Sequence, residues 1–202
     1  LVKKSVLITG AAKRIGRALA LSFAKEGWDV AVHYHQSETE AKKLVDAIKS
    51  GGGKAVCVGG NLGNNSDLNQ IINLSNKKFG VLSCLVHNAA FFANDSLNTT
   101  TQENWLAHAQ INQWAPLYLS QQFVEQLDKK SQGNIITMLD YCIHQPPASF
   151  LSYSMSKAAL WSMTQSLALD LAPKVRVNGI APGYVLKHAN EPDAHFNKAV
   201  EN

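Results

Sequence analysis

The 202-residue chain is expected to fold as a single α/β domain around a doubly wound parallel sheet. Three observations predict this. Short apolar runs alternate with amphipathic stretches in a repeating strand–helix order. The runs are apolar throughout, as strands of a parallel sheet covered on both faces must be. The first of them also empties into a glycine turn that opens a helix. Right-handed crossovers would then bring the carboxyl ends of the strands to one edge of the sheet, where ligands of such folds bind. No Pro/Ser linker, repeat or low-complexity block divides residues 1–202, and the length suffices for a sizeable core.

The elements follow in order. Ser5 to Thr9 reads as a buried strand and Arg14 to Glu26 as a helix. Trp28 to Tyr34 is a second strand, and Glu38 to Lys49 a helix stopped by Gly51, Gly52 and Gly53. Lys54 to Val58, a helix over Ser66 to Lys78, and Val81 to His87 continue the alternation. One long helix is expected from Gln102 to Lys129, bent near Pro116 because proline lacks the N–H that the helix needs. Asn134 to Leu139 is a fifth strand, Ser152 to Leu171 a helix, and Lys174 to Ile180 a sixth strand. After Gly183 the chain turns polar. Residues 184–202 are read as a substrate-loop segment, with the C-terminal part of the fold expected to be missing.

Charge and cysteine usage exclude several classes. The formal net charge is +4, spread over lysine pairs with no basic run fit for a nucleic-acid arm. A mild positive balance suits a polyanionic small molecule. No apolar run approaches the length needed to span a bilayer, and Leu1-Val2-Lys3-Lys4 leads straight into the first strand, so no membrane partner and a cytoplasmic protein are expected. Cys57, Cys84 and Cys142 form no CxxC pair. Buried thiols in a reducing compartment and no metal site are expected.

The chemistry begins at Thr9-Gly10-Ala11-Ala12-Lys13-Arg14-Ile15-Gly16. Strand, glycine turn and helix start together make an anion site, because backbone N–H groups and the helix N-terminus point at a pyrophosphate. Gly10 permits the tight turn, Gly16 the close packing of helix on strand. Arg14 takes a position usually held by glycine in a GxxxGxG loop. In such Rossmann-type units an acid lies about 20 residues on, holding a ribose 2′-hydroxyl. Here the second strand ends in His33-Tyr34-His35-Gln36-Ser37, with no carboxylate before Glu38. Histidine, serine and a nearby Arg14 can donate to a 2′-phosphate where an Asp would repel it. NADPH is therefore expected over NADH. Asn61-Leu62 and Asn88-Ala89-Ala90 follow the third and fourth strands, where an Asn can bond adenine or brace the loop and small residues let a cofactor approach. Tyr153 and Lys157, spaced i,i+4, share a helix face. A neighbouring ammonium is expected to lower the phenol's pKa and fit it for proton transfer.

These segments, with Asn112 in INQWAP and Arg176-Val177-Asn178-Gly179-Ile180-Ala181-Pro182-Gly183, occur in the order seen in short-chain dehydrogenases/reductases, which the chain resembles over nearly its whole length. Within that family it looks most like a pteridine reductase. The usual catalytic serine, about thirteen residues before the tyrosine, is replaced by Asp140. The arginine in the glycine loop, the His-Tyr-His turn and a phenylalanine after the NA segment, here Phe92, are also similar.

The resemblance implies hydride transfer from NADPH to a dihydropterin, such as dihydrobiopterin, dihydromonapterin or dihydrofolate. Phe92 would stack on the pterin, Tyr153 and Asp140 would serve the proton, and Lys157 would hold the nicotinamide ribose. Asn112 would brace the relay, Arg14 would touch both cofactor and pterin, and Pro182 and Gly183 would close on the cofactor. A homotetramer pairing through the long helix and the Tyr153 helix is also implied, with Trp105, Trp114, Leu117 and Trp161 at the contact. Two other readings stand beside it: an NADPH-dependent reductase of a 3-oxoacyl thioester or small ketone, and a non-catalytic NADPH-binding sensor.

Overall fold

The computed structural model describes residues 4–185, so nearly all of the segment 184–202 read as a substrate loop lies outside the described residues. The chain runs β1 (Ser5–Ile8), α1 (Arg14–Lys25), β2 (Asp29–Tyr34), α2 (Glu38–Ser50), β3 (Ala55–Gly59), α3 (Asn65–Phe79) and β4 (Cys84–His87). It continues with α4 (Gln102–Ala109), a π-helical turn (Gln110–Trp114), α5 (Ala115–Glu125), β5 (Gly133–Met138), a 3₁₀ turn (Tyr141–Ile143), α6 (Leu151–Leu171) and β6 (Val175–Ile180). Six strands form one sheet in the order β3-β2-β1-β4-β5-β6, and every pair is parallel. The order reverses between β1 and β4, which places the ligand crevice at their carboxyl ends.

Alternation along the strands builds two cores. Leu7 of β1 faces one layer with Leu68 and Ile71 of α3 and Leu119 and Phe123 of α5. Val6 and Ile8 face the other, with Ala20 of α1 and Leu44, Val45 and Ile48 of α2. All of β1 is fully buried, the condition that makes its sequence apolar without polar alternation. Each such Leu, Ile or Phe contributes about 1.5–3 kcal/mol by leaving water. No helix among the described residues is long and apolar enough to cross a membrane.

Side-chain caps set two of the helix starts. Asn64 caps α3 through Oδ1, which accepts the Ser66 N–H at 2.8 Å, and Thr101 caps α4 by accepting the Asn104 N–H at 3.1 Å. The expected single helix from Gln102 to Lys129 is corrected in two ways. It ends at Glu125, and it is interrupted by the π-helical turn rather than simply bent. Pro116 has no N–H to return to the Asn112 carbonyl, so the backbone widens ahead of it, with the Ala115 N–H reaching the Gln110 carbonyl.

Candidate active site

The crevice floor is backbone stitched together by two side chains, Thr9 and Asn88. Thr9 Oγ1 accepts the N–H groups of Asn88 and Ala89 at 2.9 and 3.0 Å, stitching the end of β1 to the end of β4. Asn88 Nδ2 donates to the carbonyls of Thr9 and Gly10 at 2.9 and 3.1 Å. A Cβ on Gly10 would lie 3.0 Å from Ala89 Cα, and its φ of +61° is one that glycine alone adopts freely. A Cβ on Gly16 would lie 2.4 Å from the Gly10 carbonyl oxygen and 2.6 Å from Asn88 Nδ2. The loop thus folds back on the first turn of α1 with no room for a side chain. Lys13 at its N-cap makes no side-chain cap and no acid stands in the first turn, so the amides there face the crevice without a competing carboxylate.

Arg14 lies exposed at the rim and holds a φ of +51°, a left-handed conformation that costs a non-glycine residue about 1–2 kcal/mol. Ile15 is half-buried and packs toward the α1/α2 core. At the end of β2, His35 is exposed and Ser37 and Tyr34 are half-buried. The two acids that open α2 are both neutralised: Glu38 pairs with Lys42 at 2.7 Å and Glu40 with Lys13 of the glycine loop at 2.9 Å.

His33 corrects the sequence reading. It was expected to donate to a phosphate, but its ring is buried and both nitrogens are taken. Nδ1 accepts the Gly10 N–H at 3.1 Å and Nε2 meets the Gly60 carbonyl at 3.1 Å, which requires the proton on Nε2. Burial pushes the imidazole down to about 4, against a smaller upward pull from Gly60. His33 is a neutral strut holding the glycine turn to the end of β3. Asn61 is half-buried, and its Oδ1 accepts the Gly63 N–H at 2.8 Å, closing a local turn. The Leu62 side chain is buried in the layer with Leu68 and Ile71.

The residues that the sequence marks as catalytic come from three elements. Asp140 follows β5, Tyr153 and Lys157 lie on α6, and Asn112 sits inside the π-helical turn. The Tyr153 hydroxyl donates to Asp140 Oδ2 at 2.8 Å, and Asp140 Oδ1 is held by the Cys142 N–H at 2.8 Å. Lys157 Nζ donates to the Met138 carbonyl at 2.7 Å and lies 5.7 Å from the Tyr153 ring centroid. Asn112 Oδ1 accepts the Phe91 N–H at 2.7 Å, while its Nδ2 reaches Phe91 O and Ser156 Oγ, each at 2.9 Å. Asn112 thereby joins the loop after β4 to α6.

The expected lowering of the Tyr153 pKa is also corrected. Burial first, then the Asp140 carboxylate, pushes it up. Lys157 does not oppose this by contact, because its ammonium is committed to Met138 O. Burial pulls Lys157 down to about 8, partly offset by Asp140. At neutral pH the site therefore holds a protonated phenol, hydrogen-bonded to Asp140, beside a largely protonated ammonium.

Aromatic rings form the outer wall. Phe92 stacks on Phe150 with centroids 4.6 Å apart and 16° between planes, and meets Tyr153 edge-on at 4.7 Å. Phe92 is 45% exposed. Ala90 lies exposed at the crevice mouth. Pro182 accepts the Tyr141 N–H at 3.2 Å, bringing the Ala181–Gly183 segment beside Asp140. Sequence reasoning did not single out Thr9, Ser156, Phe150 or Asp95. The first lies within the glycine motif, and the others carry no local signal because their partners are distant in the chain.

The short chain dehydrogenase family profile matches residues 4–197. Glucose 1-dehydrogenase 2 of Bacillus subtilis (strain 168) is 30% identical over 195 residues, covering 94% of this chain and 75% of its own. A 3-oxoacyl-[acyl-carrier-protein] reductase of Synechocystis is 31% identical, covering 95% and 78%. Among solved structures, FolM alternative dihydrofolate reductase 1 from Brucella canis, complexed with NADP, superposes with a TM-score of 0.94 at 31% identity, covering 98% of this chain and 79% of that one. The landomycin C-6 ketoreductase LanV, with bound NADP and rabelomycin, gives 0.83 at 28% identity, covering 89% and 75%.

Proposed function

The chain belongs to the short chain dehydrogenase family, and from that premise we propose that it is an NADPH-dependent reductase of a dihydropterin. The observation that carries this reading is the Tyr153–Asp140 hydrogen bond of 2.8 Å beneath the Phe92 ring. A carboxylate here suits the protonation of a ring nitrogen, and an aromatic wall suits a flat substrate. The likeness to the NADP-bound dihydrofolate reductase supports the same substrate class.

The residues fit the cofactor. The glycine turn packs so closely on the first turn of α1 that a Cβ at Gly16 would clash with Gly10 O and Asn88, and that first turn carries no acid to repel a pyrophosphate. NADPH is favoured over NADH because Glu38, the nearest carboxylate after β2, is paired with Lys42, while Arg14 and His35 are exposed at the same rim. Ser37, Asn88, Ala89, Ala90, Pro182 and Gly183 line the remaining approach.

The nicotinamide, when bound, supplies the hydride. The chain's own residues manage the proton. Tyr153, kept protonated by burial and Asp140, turns its hydroxyl from Asp140 Oδ2 to the substrate nitrogen, gives up its one proton there and is left as the phenolate. Asp140 holds that hydroxyl in place, and Lys157, bound to Met138 O with its ammonium 5.7 Å from the Tyr153 ring centroid, acts on the phenolate at that range only. Asn112 keeps the Phe91–Phe92 segment and α6 at fixed separation. Arg14 reaches the pterin edge. The exposure of Trp105 and Trp161, on α4 and α6, supports assembly as a homotetramer through those helices.

NADPH consumption with a dihydropterin, but not with an acetoacetyl thioester, supports the proposal. Tyr153→Phe should reduce kcat by about 10²–10⁴-fold with NADPH affinity unchanged. Thioester reduction without pterin reduction would replace this reading with that of a carbonyl reductase, which the 3-oxoacyl reductase likeness favours. NADPH binding without turnover of either would leave a sensor.

A further inference from the structure

Helix α6, which carries Tyr153 and Lys157, begins without a cap of its own. Phe150 occupies its N-cap position and offers no side-chain acceptor, unlike Asn64 before α3 and Thr101 before α4. The missing acceptor arrives from Asp95, in the loop after β4. Asp95 Oδ1 accepts the Ser152 N–H at 3.0 Å across 57 positions of sequence. Its Oδ2 accepts the Ser152 hydroxyl and, at 2.9 Å, Asn104 Nδ2 from the first turn of α4. The backbone adds to this. The Asp95 N–H donates to Ser149 O at 3.0 Å, and the Leu151 N–H donates to Asp95 O at 3.2 Å, forming an isolated parallel bridge to Phe150.

Asp95 is 4% exposed, so this carboxylate is a buried anion whose oxygens are both engaged. A buried carboxylate is costly unless it is satisfied, and its placement at the positive end of a helix offsets part of that cost. The position matters for chemistry. Asp95 stands three residues after Phe92, and Ser152 directly precedes Tyr153. Phe92 and Phe150, flanking the same clasp, are stacked at 4.6 Å. The aromatic wall and the proton donor thus belong to two segments that Asp95 ties at the start of α6, as Asn112 ties them at Ser156.

We propose that Asp95 is a positioning residue that sets the separation of Phe92 from Tyr153, and so the orientation of the phenol toward the bound substrate. This rests on the reductase reading for its chemistry, since Asp95 itself touches no reacting atom. A displacement of about 1 Å in such an arrangement can cost about 10²-fold in rate.

The test compares the parent with Asp95→Ala, the milder Asp95→Asn, and the exchange Asp95→Asn/Asn104→Asp, which returns an acidic partner to the same cluster. Turnover is measured well below each protein's Tm, NADPH affinity by fluorescence, and backbone hydrogen exchange over residues 149–155 and 9–16. The expected result for Asp95→Ala is a kcat loss of at least about tenfold, NADPH affinity within about twofold, and faster exchange confined to 149–155. The exchange variant should recover part of the kcat lost in Asp95→Asn. A merely structural role would lower Tm and leave kcat at the assay temperature unmoved, and that result overturns the proposal. If the parent reduces oxoacyl thioesters instead of pterins, the pterin reading fails while the clasp is judged on thioester kcat. If the parent turns over neither, unchanged exchange over 149–155 in Asp95→Ala overturns the clasp and faster exchange confined there supports it.

Discussion

Lowering the pH from 7 to 5 should destabilise this protein through two buried histidines. His33 has a pKa pushed by burial to about 4, from an ordinary value of 6.5. His87, buried with Nε2 2.9 Å from the Ser120 hydroxyl, is pushed to about 3 by burial alone. In each case the unfolded chain takes up the proton first. The stability these groups allow is complete above pH 6.5 and is lost as pH falls toward 4 and 3. Between pH 7 and 5 each residue should cost about 2 kcal/mol, so together about 4 kcal/mol. That is a large share of a typical total of about 5–15 kcal/mol. Urea unfolding at the two pH values measures the loss directly. His33→Gln keeps an acceptor and a donor in the strut but cannot ionise, so the difference between its two stabilities should be smaller than the parent's by about 2 kcal/mol. Comparing differences cancels whatever the substitution costs at pH 7. A variant that loses as much between pH 7 and 5 as the parent would refute the assignment of His33 as a neutral strut.

Three further outcomes follow from the site. Gly16→Ala should destabilise by about 1–3 kcal/mol, as overpacking does, and weaken NADPH binding in fluorescence titration, because the added Cβ would meet backbone and Asn88 at under 3 Å. Arg14→Gly should raise Tm slightly: relief of about 1–2 kcal/mol of left-handed strain outweighs about 0.5–1 kcal/mol of added chain entropy, while preference for NADPH over NADH falls. Lys157→Met should abolish turnover yet stabilise at pH 7 by about 1–2 kcal/mol. This is the cost of about 3 kcal/mol for a buried ammonium with its pKa near 8 rather than 10.5, less the hydrogen bond to Met138 O. Because the parent itself gains stability as pH rises from 8 to 10.5, the variant's advantage in chemical denaturation should shrink across that window.

The sheet and its glycine turn were legible in the sequence because their causes are local. A strand buried on both faces, such as Val6-Leu7-Ile8, must be apolar throughout. A turn that packs against its own helix must place Gly10 and Gly16 where it does. That Tyr153 and Lys157 share one helix face was legible as helical spacing, and Asp140 as a departure from a familiar pattern. What escaped depends on contacts between distant segments. His33 reads as an exposed strand end until β3 delivers the Gly60 carbonyl to its second nitrogen. The direction of the Tyr153 pKa depends on burial and on which partner its hydroxyl finds. Asp95 resembles any loop acid, since nothing near it reveals that a helix far along the chain begins with a phenylalanine and lacks a cap. The end of the long helix was misplaced for the converse reason: the sequence beyond Glu125 keeps helical composition while the backbone turns toward β5.

The distribution of indole rings gives the molecule its own optical reporters. Trp28 is half-buried and packed edge-on against Phe23 at 5.2 Å, whereas Trp105, Trp114 and Trp161 are 39%, 40% and 39% exposed on the outer helices. Water relaxing around those three rings shifts their emission to long wavelength and leaves them open to acrylamide. Any surface that comes to cover α4 or α6 must shift that emission back toward the blue and shield the rings from quencher, so association can be followed without a label.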